Sequence, residues 1–124
     1  MSPKDSLNKY LNHTPYNWKD PLQIESQLSD EEKMILESVR KFATNVLKPK
    51  ILEANRHEKA DPEIFREMGI LNILGPTIPD YGCAGTSYVA AGLIARELEY
   101  IDSAYRSAYS VQSSLVMYPI WLFG

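Results

Sequence analysis

Apolar positions recur with a helical period in several stretches of the chain, and turn-forming residues separate them. Behind Ser29-Asp30-Glu31-Glu32, which has the form of a capping box with acids in its first turn, Ile35, Val39, Phe42 and Val46 fall on one face. Glu31, Lys33, Glu37, Arg40 and Lys41 lie elsewhere around that helix and are expected in solvent. Pro49 is expected to break or kink the run, with Ile51 to Asn55 continuing as a shorter helix. Asp61-Pro62 reads as an N-cap followed by proline at the first helical position, and Phe65 and Met68 are expected to face in. Gly69 lies near the end of that helix; Gly75-Pro76, Pro79 and Gly82 then carry an extended, turn-rich connection. Thr86 or Ser87 caps a long helix through about Tyr100, with Val89, Leu93 and Leu98 inside and Arg96, Glu97 and Glu99 outside. Its small residues Ala90, Ala91, Gly92 and Ala95 are expected to let a neighbouring helix approach closely.

The next stretch carries the candidate chemistry. Ala104, Ala108, Val111 and Leu115 form a narrow stripe expected to pack inward, while Arg106, Ser110, Ser113 and Met117 share a different face. A guanidinium followed one turn later by a hydroxyl suits a small acidic ligand, because the rigid fork of N–H donors matches the two oxygens of a carboxylate. The spacing leaves a second reading open. Asp102 stands four residues before Arg106, the distance of an ordinary exposed helix salt bridge, although Asp102 or Ser103 is also placed to be the N-cap.

Composition narrows the rest. A chain of 124 residues supports a single domain with a modest core. The periodicity predicts an all-α fold, an orthogonal bundle of about five to six helices, with residues 1–28 as a proline-interrupted arm anchored by Trp18 and residues 29–124 as the helical domain. The net charge of −3 is spread without a basic stripe, which argues against nucleic acid. Cys83 is the only cysteine, and it stands in a glycine-rich loop without a histidine or cation close in sequence, so it is read as passive. Tyr81-Gly82-Cys83-Ala84-Gly85 lacks the lysine and the preceding strand of a phosphate loop, and His57 lacks a second metal ligand at helical spacing. No apolar run has the length of a membrane span, and Lys4, Asp5 and Lys9 without arginine make a poor presequence; the chain is read as soluble and intracellular. Pro119 is expected to start another helix that stops at Trp121-Leu122-Phe123-Gly124, an apolar ending that suggests further structure packs there.

A resemblance adds to this. Asn17-Trp18-Lys19-Asp20-Pro21-Leu22, Glu31-Glu32-Lys33-Met34, Gly75-Pro76-Thr77-Ile78-Pro79, the loop from Tyr81 to Ser87, and the run from Tyr105 to Met117 together closely resemble the N-terminal domain of acyl-CoA dehydrogenases of the glutaryl-CoA type. The match covers nearly everything after about Tyr16. The resemblance implies an FAD-dependent enzyme that oxidises and decarboxylates glutaryl-CoA to crotonyl-CoA and CO2, with this domain lining the acyl pocket. It implies that Arg106, Ser107 and Ser110 bind the distal carboxylate of the substrate, and it favours that role for Arg106 over the Asp102 bridge. The family's catalytic glutamate and most of its flavin contacts belong to a middle β-domain and a C-terminal helical domain beyond these residues. No catalytic, cofactor-binding or metal residue is therefore assigned here, and the chain by itself is expected to be inactive. The implied partners are an electron-transfer flavoprotein and further copies in a homotetramer, without nucleic acid or membrane. The implied compartment is the mitochondrial matrix, with the bacterial cytoplasm as alternative. Two other readings stand beside it: a free-standing helical interaction module or short isoform, and a relative specific for another short or branched acyl group.

Overall fold

The computed structural model describes residues 16–124; the start of the arm, with the Lys4, Asp5 and Lys9 charges of the presequence reading, lies outside the described residues. The all-helical class is as expected. After a short 3-10 turn at Glu25–Gln27 come α1 (Asp30–Phe42), a wide π-type turn (Ala43–Leu47), α2 (Lys48–Arg56), α3 (Glu63–Ile70), α4 (Tyr88–Glu99), α5 (Ser103–Ser110), a second π-type stretch (Val111–Met117) and α6 (Tyr118–Phe123). Pro49 stands in the first turn of α2, where its missing N–H is not needed.

Local capping chemistry sets where the two main helices begin. The Ser29 hydroxyl accepts from the Glu32 N–H at 3.2 Å and the Glu32 carboxylate accepts from the Ser29 N–H at 3.0 Å, completing the capping box. Ser87 caps α4 by accepting from the Ala90 N–H at 3.0 Å and donates its own proton to Glu32 Oε1 at 2.7 Å. Glu32 thereby ties the starts of α1 and α4 together. Near the other ends, Arg40 of α1 reaches Glu97 of α4, so the two helices run side by side in the same sense. Their contact is the most extensive between helices, followed by that of α4 with α5.

The main core gathers Val39, Ala43, Leu47, Ile64, Met68, Ile73, Ile94, Leu98, Tyr105 and Tyr109, and a smaller cluster joins Leu28, Leu36 and Leu93. Several expected faces are rotated. On α1 the buried positions are Leu36 and Val39, continued by Ala43 and Leu47, while Ile35, Phe42 and Val46 are only partly buried. An apolar face this broad does not reveal its own centre; the neighbouring helix decides it. On α3 Ile64 is buried with Met68 and Phe65 is 42% exposed, and on α4 Ala90 replaces Val89 inside. Gly92 faces open space, so close approach rests on Ala90 and not on the glycine.

The largest correction concerns α5. Tyr105 and Tyr109 are buried there, while Ala104 and Val111 are exposed and Leu115 is 70% exposed. Two phenol rings bury more apolar area than two alanines, and the Tyr109 hydroxyl satisfies itself by donating to the Ala91 carbonyl at 3.2 Å. Burial pushes the Tyr109 phenol up to about 12. Trp18 is no anchor: it is 74% exposed. Glu97 was expected in solvent and is instead buried between two arginines.

Candidate functional site

Asp102 caps α5, its carboxylate accepting from the Ala104 N–H at 2.8 Å. That leaves Arg106 to another partner. Its Nε donates to Glu99 Oε2 at 2.7 Å, so the alternative reading of a bridge to Asp102 gives way to this one across the turn between α4 and α5. The Ser103 hydroxyl donates to Glu99 Oε1 at 2.6 Å, so both carboxylate oxygens are engaged. Ser103 first and Arg106 second hold the Glu99 carboxyl below its ordinary range. Glu99 is thus the residue that orients the guanidinium. The sequence reading places Glu99 only on the outer face of α4, and a separation of seven positions across a helix break gives no signal for its pairing with Arg106.

The other edge of the guanidinium points along α5. Arg106 Nη1 lies 3.4 Å from Ser110 Oγ, and Ser110 in turn donates to the Ser107 carbonyl at 3.3 Å. Among the described residues no hydrogen bond engages Arg106 Nη2 or the Ser107 hydroxyl. The side chain of Arg106 keeps 39% of its surface exposed. The structure therefore brings Arg106 and Ser110 together, with Ser107 beside them contributing its backbone. Ser113 and Met117 leave this row, because the wide turns of Val111–Met117 do not keep the 3.6-residue period. Ser113 is buried and accepts from the Gly75 N–H at 3.1 Å. Gly75 has φ +59°, a conformation that favours glycine, and a Cβ there would stand 2.7 Å from the flexible end of Met117, Cε, which would have to shift.

Two clefts open on the domain, and Arg106 lines neither of them. One of about 340 Å³ is lined by Pro76, Thr77, Tyr88, Ser113, Ser114 and Tyr118. The other, of about 730 Å³, has Glu99 in its wall together with Trp18, Glu25, Arg40, Arg96 and Glu97. In that wall Glu97 receives Arg40 Nε at 3.0 Å and Nη2 at 3.3 Å, and Arg96 Nη2 at 3.0 Å. Hydrogen bonding to Glu97 holds the Arg40 guanidinium above its ordinary value.

The family model for the acyl-CoA dehydrogenase N-terminal domain matches residues 29–124. The chain belongs to that family. Among curated proteins, this acyl-CoA dehydrogenase domain is 32% identical over 91 residues to the mitochondrial isovaleryl-CoA dehydrogenase of Pongo abelii, covering 71% of this chain and 22% of that protein. It is 26% identical over 105 residues to the mitochondrial short/branched chain specific acyl-CoA dehydrogenase of Bos taurus, covering 84% and 24%. Among solved structures, the glutaryl-CoA dehydrogenase of Mycobacterium smegmatis in complex with FADH2 matches with a TM-score of 0.78 and 39% identity, over 81% of this chain and 26% of that one. The chain spans about a quarter of the length of these relatives.

The described residues do not make a flavin site by themselves. A dinucleotide diphosphate needs free cations or converging backbone N–H groups. Arg40 and Arg96 are taken up by Glu97, and Arg106, with Nε on Glu99 and one Nη edge open, is a single cation that lines neither cleft. The buried polar atoms without partners are Tyr105 Oη, on a core residue, and Glu67 Oε2, on a partly exposed residue of α3 that pairs with Lys50; neither residue lines either cleft. Among the described residues no cluster of potential metal ligands occurs, and no helix is long and apolar enough to cross a membrane.

Proposed function

We propose that this domain supplies the acyl-pocket wall of a flavin-dependent dehydrogenase acting on glutaryl-CoA, with Arg106 and Ser110 receiving the distal carboxylate and Ser107 beside them. The observation that carries the reading is the half-engaged guanidinium. Glu99 fixes Arg106 through Nε, and the Nη edge is left facing the serines. A carboxylate approaching that edge meets charge-assisted N–H donors, and the Ser110 hydroxyl donates to it once its single proton turns away from the Ser107 carbonyl. An uncharged acyl chain would leave the guanidinium without a counter-charge on that edge, which argues against the branched-chain substrates that two of the relatives are named for.

The remaining chemistry belongs to the same proposal. A bound FAD would supply the hydride acceptor of such a dehydrogenase; none of the described residues is assigned to hold it or to remove the α-proton. An electron-transfer flavoprotein would reoxidise the flavin, and the enzyme would work as a homotetramer. The mitochondrial matrix fits the mitochondrial relatives, and the bacterial cytoplasm fits the mycobacterial one.

The test uses a chimera in which this chain replaces the corresponding N-terminal part of the Mycobacterium smegmatis enzyme. Arg106→Met should lower kcat/KM for glutaryl-CoA by about two orders of magnitude more than for butyryl-CoA, the scale of discrimination that a lost polar contact gives. Equal losses on both substrates would remove the carboxylate role.

A further inference from the structure

The segment 16–27 is internally organised but thinly attached. The Asp20 carboxylate accepts from the Ile24 N–H at 2.8 Å and the Glu25 N–H at 3.0 Å, Asn17 accepts from the Lys19 N–H at 3.1 Å, and Ser26 donates to the Gln23 carbonyl at 2.7 Å. All of these bonds stay within the segment. Its large apolar side chains are turned outward, Trp18 at 74% and Leu22 at 73% exposure. The first firmly buried side chain is Leu28, which joins Leu36 and Leu93 and marks where the segment meets the domain.

Across the larger cleft the segment reaches the domain through one side chain. Glu25 Oε1 lies 3.3 Å from Arg40 Nη2 and 4.0 Å from Arg96 Nη2, the two arginines that already clasp Glu97. Among the described residues these are its only side-chain ion pairs or hydrogen bonds to the helices. Arg40, Arg96 and Glu25 are each close to half exposed, the setting in which an ion pair contributes little and is screened by salt.

We infer that residues 16–27 form a strap that closes over the cleft, hinged at Leu28 and latched by Glu25 on the Arg40–Arg96 pair. Closed, two carboxylates balance two guanidiniums. Open, the arginines face Glu97 alone, and the uncovered cleft gains positive charge together with access to the wall that carries Glu99. The latch responds to ionic strength because its members are wet, whereas the Glu97 clasp beneath it stays shut because that carboxylate is buried.

Spin labels at Leu22→Cys and Lys41→Cys in a Cys83→Ser chain report the strap-to-α1 distance by pulsed electron resonance. A narrow, short distribution is expected at low salt, with a longer and broader component appearing in about 0.5 M NaCl, where the screening length falls to a few ångströms. Glu25→Gln at low salt should raise that component about two- to fivefold, the weight of an exposed pair, and should lose most of the salt response. Glu63→Gln, whose carboxylate pairs with Arg66 on α3 away from both labels, is the control for general charge effects. The strap is overturned if Glu25→Gln leaves the distribution and its salt response as in the parent, or if Glu63→Gln reproduces the effect.

Discussion

Helix α4 carries two glutamates two positions apart with opposite fates. Glu97 is turned toward α1, buried, and held by both Arg40 and Arg96, of which Arg40 also reaches Glu25. Glu99 is turned toward α5, stays about half exposed, and engages one nitrogen of Arg106. The first arrangement uses arginine to make a carboxylate tolerable in the interior. The second uses a carboxylate to aim an arginine. A closed network holds helices together, and an open one keeps a charge available for something else; that difference separates the structural ion cluster of this domain from its candidate site.

Removing each carboxylate in turn sharpens the contrast. Glu97→Ala should cost about 1–3 kcal/mol, since two guanidiniums lose their partner while staying partly wet, and thermal unfolding would read it as a clear fall in Tm. No change in Tm would mean that water already serves both arginines. Ser113→Ala should cost about 1 kcal/mol by leaving the Gly75 N–H without its acceptor, and chemical denaturation of the chain measures it. Glu99→Ala should leave Tm close to that of the parent, because an exposed pair contributes little. In the chimera it should still raise KM for glutaryl-CoA several-fold while sparing butyryl-CoA; an unchanged KM would show that Arg106 aims itself. The smallest effect is on pH dependence. Because Ser103 and Arg106 hold the Glu99 carboxyl below its ordinary value of 4.5, their stabilisation is present in full above that value and fades as pH falls through the lowered one. Carboxyl NMR should find Glu99 titrating low, and Ser103→Ala should move it back up.

What was legible in the chain was mostly local chemistry. The capping box at Ser29 and Glu32, Ser87 at the start of α4 and the glycine–proline connection need only neighbours in sequence, and each is where it was expected. The choice of buried face on α5 was not legible. Counting apolar residues favours alanine and valine over tyrosine, whereas burial rewards the larger ring once its hydroxyl finds a carbonyl. The π-type turns at Ala43–Leu47 and Val111–Met117 also leave no mark in a pattern read at 3.6 residues per turn, so Ser113 was grouped with Arg106 although it points at Gly75. Glu97 could not be read as buried because its partner Arg40 lies 57 positions away. At the candidate site, Arg106 and Ser110 were visible as a helical pair, and the missing member was Glu99. A seven-residue separation across a helix break falls outside any helical spacing rule.

The most direct measurement of the account is a crystal structure of the chimera with glutaryl-CoA. The account predicts the distal carboxylate within hydrogen-bond distance of the Arg106 Nη edge and of Ser110, with Nε still on Glu99. A carboxylate placed elsewhere in the pocket, with Arg106 facing solvent, would contradict it.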